Sequence, residues 1–488
     1  MHRSVLLAGL CSVLLTAGCS ASHSAVLSLP RERTGSVEWN PCGPTIQCAT
    51  LSVPLDRAHP ASGSISLALA RRPASGKRLG VLFTNPGGPG GSGVDFLRAA
   101  DDAFPHEIRD SFDLVSWDPR GVGGSAPVNC LPDLDDFYAV DRDPQTAADI
   151  TRNVQAAKQF VAACVKNSGR LLPYVSTEAT VHDMDAIRAA MGVPQLSYIG
   201  FSYGTEIGAM YADEFPAHVR AMVLDGAVDP ALGDTASTID QARSFEHDLD
   251  EFLVHCRTSA CGFAQGADPA VAFDSLTNDV TAEPLPAKVQ GEARTLGGGE
   301  FNIGVAAALY GGKDEWNDLG AALAQAARGE GDELLALSDA YTGRSPGGKY
   351  TNETAANYAI SCIDAPSPRS IGAVEELAAA AQRVAPHFGA VNAYLGLPCT
   401  YWPVKPEGTV RAIAAPHAPP IVVVGTTNDP ATPYTWAASL ARELRTGSLL
   451  TVVGDTHTSY GRSNACVDDT VDAYLLRLEV PAPGARCS

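Results

Sequence analysis

Short apolar runs that alternate with helical patterns constrain the fold of this chain more than any other feature. The later runs, such as Leu196–Gly200, are continuously apolar, which is typical of parallel strands buried on both faces. Helical patterns lie between them, for example at Ala179–Met191 and Thr435–Arg445. The alternation predicts a parallel sheet with helices on both sides. The predicted strands are Ile46–Val53, Ser64–Ala70, Gly80–Thr84, Phe112–Trp117, Leu196–Gly200, Arg220–Leu224, Pro420–Gly425 and Ser448–Val453.

The alternation of strand and helix patterns stops between Pro230 and about Pro419, where the patterns are mostly helical. Ile239–His255, Ile303–Ala327 and Ala373–Val384 are joined there by segments rich in glycine and proline. Because strand patterns resume afterwards, we interpret the interval as an inserted helical cap, with a separate domain as the alternative. The predicted division is 1–18 signal peptide, 19–40 lipid-anchor tether or pro-segment, 41–229 first part of the core, 230–419 mainly helical cap and 420–488 C-terminal part of the core.

The N-terminus has the pattern of a bacterial signal peptide. A polar or positive start at His2 and Arg3 precedes the apolar run Val5–Leu15, which is too short for an ordinary membrane span. The small residues Thr16–Gly18 then precede Cys19. This ending is typical of a lipoprotein processing site, at which Cys19 would be lipidated and become the first mature residue. Ordinary secretion with cleavage nearby is the alternative, and both predict that the protein leaves the cytoplasm.

The cysteines support export. Cys11 and Cys19 belong to the signal, so ten of the 12 cysteines remain in the mature chain. An even number in an exported protein predicts disulfides. Zinc binding is the alternative, but the paired CxxC spacing of zinc sites is missing from the sequence, and we expect no metal or other cofactor. Pairing between neighbours along the chain predicts Cys42–Cys48, Cys130–Cys164, Cys256–Cys261, Cys362–Cys399 and Cys466–Cys487.

The charge balance argues against nucleic acid as a partner. Aspartate and glutamate number 55 against 35 for lysine and arginine, a formal net charge of −20. A protein that binds phosphate backbones needs a basic patch to displace counterions. We therefore expect no nucleic-acid binding, and contact with a membrane only through the lipid anchor predicted at Cys19.

The pentapeptide Gly200–Gly204 carries the G-x-S-x-G pattern. A strand pattern runs directly into it and a helix-compatible segment follows, which is the context in which this motif marks a nucleophile. The serine of such a sharp turn projects above the sheet at a helix N-terminus, so small residues must flank it and backbone N–H groups can stabilise an oxyanion. The context predicts Ser202 as the nucleophile.

A serine nucleophile needs a base and an acid that orients the base. In this architecture the chain order is serine, then Asp or Glu, then histidine. His457 follows the last predicted strand in a loop, whereas His417 lies in a proline-rich joint before a strand, so we predict His457 as the base. Asp429 follows the strand that ends near Gly425 and is the predicted acid. The alternative acids are Asp225, Asp229 and Asp455.

A glycine-rich loop, Asn85–Gly93, follows the strand pattern Gly80–Thr84. A phosphate loop is one interpretation, but the Gly-Lys-Ser/Thr ending is missing. Because glycine leaves backbone N–H groups uncovered, the loop at this place predicts an oxyanion hole, in which the N–H of Gly88 joins that of Tyr203. Asp118–Gly121, after the next strand, is interpreted as structural, with an ion pair that holds a turn near the site.

With these motifs in place, the chain resembles the exported tripeptidyl aminopeptidases of actinobacteria, relatives of proline iminopeptidase in the α/β-hydrolase superfamily. Two departures are visible: the related iminopeptidases have His-Gly-Gly-Pro-Gly at Pro86–Gly90, and the family often has glycine where Thr456 precedes His457. The resemblance covers nearly the whole mature chain and is carried by Trp39–Cys42, Cys48–Asp56, Asn85–Gly93, Trp117–Gly121, Gly200–Thr205, Val223–Gly226, Asp429–Pro433 and the His457 loop.

The resemblance implies an α/β-hydrolase fold: a mostly parallel central sheet with helices on both faces and a large helical cap inserted before the last strands. It places nucleophile, acid and base on Ser202, Asp429 and His457, with Thr432 supporting the acid, and implies acyl transfer that releases short peptides, expected to be tripeptides. The substrates implied are peptides with a free N-terminus, whose α-amine the cap would bind. Carboxylates are needed for that, and the nearest cluster in the cap is Glu246, Asp248, Asp250 and Glu251, for which a solvated helix face is the alternative.

Two other functions compete with this interpretation. A secreted esterase would use the same triad, since the fold does not choose between ester and amide; only a peptidase of this type should require a free amine. A binding lipoprotein with a degenerate hydrolase fold would lack one triad member. All three predicted residues are present, so the sequence favours a serine hydrolase.

Overall fold

The computed structural model describes residues 37–99, 104–258, 261–406, 408, 410–462 and 464–488. The predicted signal segment, Cys19 and most of the predicted tether lie outside these residues. Among the helices of these ranges, none is both long enough and apolar enough to cross a membrane.

A ten-stranded sheet organises the described residues. Its strand order is β1-β2-β3-β5-β4-β6-β7-β12-β13-β14, with antiparallel pairing from β1 to β5 and parallel pairing from β5 onward. The eight predicted strands are confirmed to within two residues at each end. In chain order the strands are β1 (Asn40–Pro41), β2 (Gln47–Pro54), β3 (Ser64–Arg72), β4 (Gly80–Asn85), β5 (Phe112–Trp117), β6 (Leu196–Phe201), β7 (Val219–Asp225), β8 (Leu285–Val289), β9 (Glu292–Leu296), β10 (Arg344–Ser345), β11 (Lys349–Tyr350), β12 (Ile421–Thr426), β13 (Gly447–Val452) and β14 (Arg486–Cys487).

The parallel strands are apolar throughout because both faces of the sheet are covered. Successive side chains of a strand point to opposite faces. In β4, Val81 and Phe83 pack into one apolar core, while Leu82 packs into the core on the other face. In β12, Val423 joins the first core and Val424 the second. The sheet is therefore sandwiched between two layers, as the continuous apolar runs predict.

Helices cover both faces of the sheet and fill the interval between β7 and β12. Side-chain caps satisfy the first backbone N–H groups of several of them; Thr146 and Asp149, for example, form a reciprocal capping box at α4. The α-helices are α1 (Gly93–Ala99), α2 (His106–Ser111), α3 (Asp135–Tyr138), α4 (Ala147–Ser168), α5 (Thr177–Ala190), α6 (Gly204–Glu214), α7 (Asp234–Thr258), α8 (Pro269–Ala282), α9 (Gly298–Leu309), α10 (Trp316–Ala326), α11 (Asp332–Thr342), α12 (Glu353–Asp364), α13 (Ile371–Gln382), α14 (Gly389–Leu395), α15 (Leu397–Thr400), α16 (Tyr434–Glu443) and α17 (Ala465–Arg477).

Within that interval, which we call the cap, α7 to α11 share an apolar core of their own that includes Phe252, Phe301 and Trp316. In contrast, Ala356 and Ile360 of α12 belong to a core of the sheet. The cap region thus consists of a separately packed part and a part that lies directly on the sheet.

Two local features of the cap differ from the sequence prediction. The single helix expected over Ile303–Ala327 is two helices, because Gly312 between them has a φ of +64° that interrupts the helical path. The hairpin β8–β9 was not predicted. Its two-residue turn, Gln290 and Gly291, has positive φ at both positions, as a type I′ turn requires, but its flanking strands are too short to show a clear alternation.

Disulfides join all five predicted pairs: Cys42–Cys48, Cys130–Cys164, Cys256–Cys261, Cys362–Cys399 and Cys466–Cys487. Each connects segments less than 40 residues apart in the chain, with Cα–Cα distances between 3.9 and 5.7 Å. The described residues therefore have the covalent pattern of a protein that matures outside the reducing cytoplasm.

Candidate active site

Ser202 lies on a sharp turn between the carboxyl end of β6 and the start of α6. Its φ is +54°, a left-handed conformation that is uncommon for a residue with a side chain. The turn is possible only because its flanks are small: a Cβ at Gly200 would lie 2.3 Å from the carbonyl oxygen of Gly204, and a Cβ at Gly204 would lie 2.7 Å from that of Asn85. The Ser202 N–H donates a 2.9 Å hydrogen bond to the carbonyl of Asp225 on the next strand. The backbone conformation of this turn therefore determines where the Ser202 hydroxyl lies.

Asp429 and His457 form a buried hydrogen-bonded pair. The Nδ1 atom of His457 lies 2.9 Å from Oδ1 and 3.2 Å from Oδ2 of Asp429. The carboxylate also accepts bonds from the backbone N–H groups of Ala431 and Thr432 at 2.9 and 2.8 Å, and from the Thr432 hydroxyl at 2.8 Å. With Asp429 only 1% exposed, these donors replace the water that a carboxylate would otherwise need. The carboxylate is thus fixed beneath the imidazole.

Asp225, an alternative acid in the sequence, has a different set of partners. Its carboxylate accepts backbone bonds from Ser459 at 3.0 Å and Tyr460 at 2.8 Å. Burial raises its pKa to about 6. Gly226, the next residue, packs against the His457 loop so closely that a Cβ would lie 2.8 Å from the His457 carbonyl oxygen. Asp225 thus fixes the turn that carries His457 and also, through its own carbonyl, the Ser202 turn.

Two backbone N–H groups near the Ser202 turn, those of Gly88 and Tyr203, are the predicted oxyanion donors. The glycine-rich loop lies against this turn, since a Cβ at Gly87 would be 2.9 Å from the Ser202 Cβ and 3.1 Å from the Tyr203 nitrogen. Gly87, Gly88 and Gly90 all have φ between +94° and +111°, which only glycine adopts readily. Within the described ranges, no protein acceptor pairs with the N–H of Gly88 or of Tyr203. Both donors are available to a bound group.

A cavity of about 1240 Å³ connects these elements. Ser202, His457, Gly88 and Tyr203 line it, while Asp429 lies behind His457 and outside its wall. Its far walls come from the cap, including Phe245 of α7. The structure therefore brings the predicted nucleophile, base and oxyanion donors to the wall of one cavity at the carboxyl edge of the sheet.

The cap contacts the base directly. The N–H of His457 donates a 3.1 Å bond to the carbonyl of Tyr310, and the two rings meet edge to face with centroids 5.1 Å apart. A Cβ at Gly312 would lie 2.9 Å from the backbone of Asp455. The Lys313 ammonium pairs with the Asp455 carboxylate at 2.9 Å. The segment 310–313 therefore packs along the whole start of the His457 loop.

Helix α7 of the cap contacts the acid loop in the same way. Ser244 Oγ donates a 2.6 Å bond to the Asp429 carbonyl, and Gln241 Nε2 donates a 2.8 Å bond to that of Ala431. Asp248 follows one turn later, is fully buried, and has no hydrogen-bond partner for either carboxylate oxygen in the described part of the chain. Burial, with the nearby charge of Asp455 as a smaller cause, raises its pKa to about 8.

The acidic cluster predicted in the cap does not line the described wall of the cavity. Glu246 instead accepts a 2.7 Å bond from the His387 ring and two from backbone N–H groups, and Asp248 is buried against the acid loop. Other carboxylates reach the cavity: Glu206, Asp229, Asp234, Glu353 and Asp364. Sequence spacing could have indicated Glu206, four residues after Ser202, but the others come from distant segments.

Two further sequence interpretations concern the surroundings of the site. His417 is exposed and lies outside the cavity wall. The ion pair predicted near the Asp118–Gly121 turn forms, but Arg120 pairs with buried Asp183, at 2.7 and 2.8 Å, rather than with Asp118. The Asp118 carboxylate accepts from Ser92, Val94 and Gly124 instead, which orients the end of the glycine-rich loop.

Comparisons with known proteins agree with this geometry. The family described as "alpha/beta hydrolase fold" matches residues 80–290, and the family described as "TAP-like protein" matches residues 385–487. The chain is 37% identical to serine protease Hip1 of Mycobacterium tuberculosis H37Rv, over 97% of this chain and 95% of the relative. It is 37% identical to carboxylesterase B of the same organism, over 92% of this chain and 89% of the relative. Against tripeptidyl aminopeptidase of Streptomyces lividans the identity is 29%, over 96% of this chain and 89% of the relative.

Proposed function

The chain belongs to the α/β-hydrolase family, together with its TAP-like relatives, and from that premise we propose that it is an exported serine peptidase that removes short peptides from free N-termini. That it is a hydrolase follows from the family. The observation that carries the finer proposal is the hydrogen-bonded Asp429–His457 pair at a cavity that Ser202 and the residues of two free N–H donors also line. The relatives named serine protease and tripeptidyl aminopeptidase support the peptidase assignment.

The arrangement supports acyl transfer through a covalent intermediate. Asp429 accepts a hydrogen bond from the Nδ1–H of His457, which leaves Nε2 to take the proton of the Ser202 hydroxyl. The serine oxygen then attacks the scissile carbonyl, and the N–H groups of Gly88 and Tyr203 stabilise the negative oxygen. His457 returns its proton to the leaving amine. Water, activated by the same imidazole, releases the acyl group from Ser202.

A polar side chain in the cavity wall lacks a hydrogen-bond partner among the described residues. The Nδ2 atom of Asn392 is buried without a hydrogen-bond partner in the described part of the chain, although Asn392 lines the cavity. Buried donors are normally satisfied, so a ligand with carbonyl groups would supply the missing acceptor. Esterase activity is the second candidate, because the relative named carboxylesterase B is as similar to this chain as the serine protease is.

The proposal includes location and domain organisation. Five disulfides support export, and we retain lipidation at Cys19 and the division into core, 230–419 cap and core as proposals. Cleavage after three residues rests on the Streptomyces relative alone. We expect peptides with a free N-terminus as partners, with no nucleic acid.

A pair of substrates tests the function directly. We expect purified protein to cleave a chromogenic tripeptide anilide with a free amine much faster than its N-acetylated twin, and to release an intact tripeptide. Equal cleavage of both would contradict the aminopeptidase proposal and favour an endopeptidase. If neither is cleaved while a short-chain ester is, the second candidate is correct.

A further inference from the structure

Glu206 has a carboxylate in the substrate cavity that the proposed mechanism does not use. It lies in the first turn of α6, four residues after Ser202, and lines the same cavity. Its backbone N–H bonds to the Tyr203 carbonyl, but no hydrogen bond or ion pair joins its side chain to another described residue. Its side chain is half-buried, and carboxylates that are largely removed from water are normally paired. Glu206 is therefore available for a group that arrives with the substrate.

A second carboxylate lies beside it. Asp364, the last residue of α12, also lines the cavity. It accepts bonds from the Thr177 N–H at 2.9 Å and the Thr177 hydroxyl at 2.6 Å. Thr177 in turn contacts the hydroxyl of Tyr203, the residue whose N–H is a predicted oxyanion donor. Asp364 is thus held in place, and its carboxyl group lies with that of Glu206 in the wall of the cavity.

The cavity wall supplies no cation to neutralise this pair. Among its described residues, Arg142 and Arg462 carry the only lysine or arginine charges. Arg142 is bound to Asn153 and to the Phe137 carbonyl, and Arg462 to Thr458. Burial, with the charge of Asp364 as a smaller cause, raises the pKa of Glu206 to about 8, and burial raises that of Asp364 to about 7. A positive group from the substrate would favour the ionised form of both carboxyl groups and so lower both pKa values.

Distance along the chain identifies the substrate group. The backbone turns back between Ser202 and Glu206, since the Thr205 N–H bonds to the Ser202 carbonyl and the Glu206 N–H to that of Tyr203, so Glu206 begins close to the nucleophile. The N-terminal ammonium of a bound tripeptide lies up to about 10 Å from the scissile carbonyl, at roughly 3.3–3.6 Å per extended residue. A lysine side chain at the cleaved bond reaches only about 6 Å from its Cα by standard bond lengths. The shorter reach suits a carboxylate that begins four residues after the nucleophile and lines the same cavity.

We infer that Glu206, supported by Asp364, binds the cationic side chain of the residue whose carbonyl Ser202 attacks, so that the enzyme prefers Lys or Arg at that position. The inference rests on the proposed peptidase function and deepens it. The α-ammonium of the substrate is bound elsewhere in the cavity. Glu353, on α12 and near Tyr310 and Tyr341 rather than Glu206, provides a comparison residue of the same type in the same cavity.

The test compares two free-amine substrates, Ala-Ala-Lys-anilide and Ala-Ala-norleucine-anilide, which differ by the ammonium group. We expect kcat/KM to favour lysine by about 10- to 100-fold, the range for a hydrogen-bonded charge pair. Glu206→Gln should reduce this ratio towards one, Glu206→Asp should retain part of it, and Glu353→Gln should leave it unchanged. A melting curve for each variant reports whether it is folded.

The outcomes separate this inference from the proposed function. If neither anilide is cleaved, the peptidase function itself is wrong. If both are cleaved equally by the wild-type protein, the function stands and the inference is overturned. If Glu206→Gln slows both free-amine substrates equally but not their N-acetylated twins, Glu206 binds the α-amine, which also overturns the inference.

Discussion

The proposed nucleophile and its two proposed partners are held by different parts of the molecule. Ser202 is fixed by neighbours in sequence, by the glycine-rich loop and by the carbonyl of Asp225, all within the sheet core. Asp429 and His457 lie on loops that follow strands of the sheet, but their backbones are hydrogen-bonded to the cap. Ser244 donates to the Asp429 carbonyl, and the His457 N–H donates to the Tyr310 carbonyl. The cap therefore reaches the Ser202 turn through the glycine-rich loop, where Asn357 of α12 donates a 2.9 Å bond to the Pro89 carbonyl, whereas it bonds directly to the backbones of Asp429 and His457.

The largest expected effect separates the acid from its nearest alternative. Asp429→Asn should lower kcat by about 10⁴-fold, the scale reported for triad acids, because the amide no longer holds the imidazole in the required tautomer. Asp225→Asn should lower kcat far less and mainly reduce the free energy of unfolding, since Asp225 accepts backbone bonds from Ser459 and Tyr460. Steady-state kinetics and urea denaturation of both variants provide the comparison.

The reverse ranking of these two variants would show that Asp225 is the acid. In that case the hydrogen bond between Asp429 and His457 would be structural, and the comparison between core and cap would lose its basis.

A glycine pair tests the dependence of the base on the cap. Gly312 and Gly329 both have positive φ, +64° and +90°, so an alanine at either position adds backbone strain of about 1 kcal/mol. Only the Gly312 methyl would meet the backbone of Asp455, at 2.9 Å; at Gly329 nothing lies within 4 Å. Because a displacement of about 1 Å can cost 10²-fold in rate, we expect Gly312→Ala to lower kcat by about 10- to 100-fold with little change in KM.

Gly329→Ala is the matched control and should leave kcat unchanged while lowering the melting temperature by a similar amount. Equal kcat values for the two alanine variants would indicate that the cap does not position the His457 loop.

The smallest effect concerns the stability of the cap itself. His387 lies between Glu246 of α7 and Asp274 of α8, with Asp143 and Asp250 also nearby. Burial by itself lowers its pKa, but the bonds to both carboxylates raise it to about 9. A raised pKa stabilises the folded state fully below the unfolded value, about 6.5, and this contribution is lost as the pH rises through about 9.

We therefore expect the free energy of unfolding to fall between pH 6.5 and pH 9.5, and the fall to be smaller in His387→Gln. Urea denaturation at the two pH values measures it. An identical pH dependence in the variant would mean that other groups, and not His387, govern the stability of the cap.

The same division explains what the sequence could predict. The strand runs, the Ser202 turn and the glycine-rich loop depend on neighbouring residues, so periodicity and glycine spacing indicate them. The five disulfides can also be predicted from the sequence, because each joins cysteines that are close along the chain. The prediction of the cap elements is less accurate, because the break at Gly312 and the hairpin turn at Gln290 each depend on single backbone angles.

Contacts between distant segments could not be predicted. The pairing of Arg120 with Asp183, rather than with the adjacent Asp118, is determined by packing of α5 on the sheet. In the same way Glu206 and Asp364, 158 positions apart by their residue numbers, meet only through the fold. The carboxylates chosen from the sequence were adjacent to one another along α7, but adjacency on a helix does not show which face meets the cavity.

Labelling of the nucleophile tests the central claim most directly. The protein is treated with a fluorophosphonate, which reacts with a serine only when a base activates it, and the adduct is located by mass spectrometry. The account predicts one adduct, on Ser202, that is absent in Ser202→Ala and forms orders of magnitude more slowly in Asp429→Asn. A label on another residue, or an unchanged rate of labelling in Asp429→Asn, would contradict the assignment of this site.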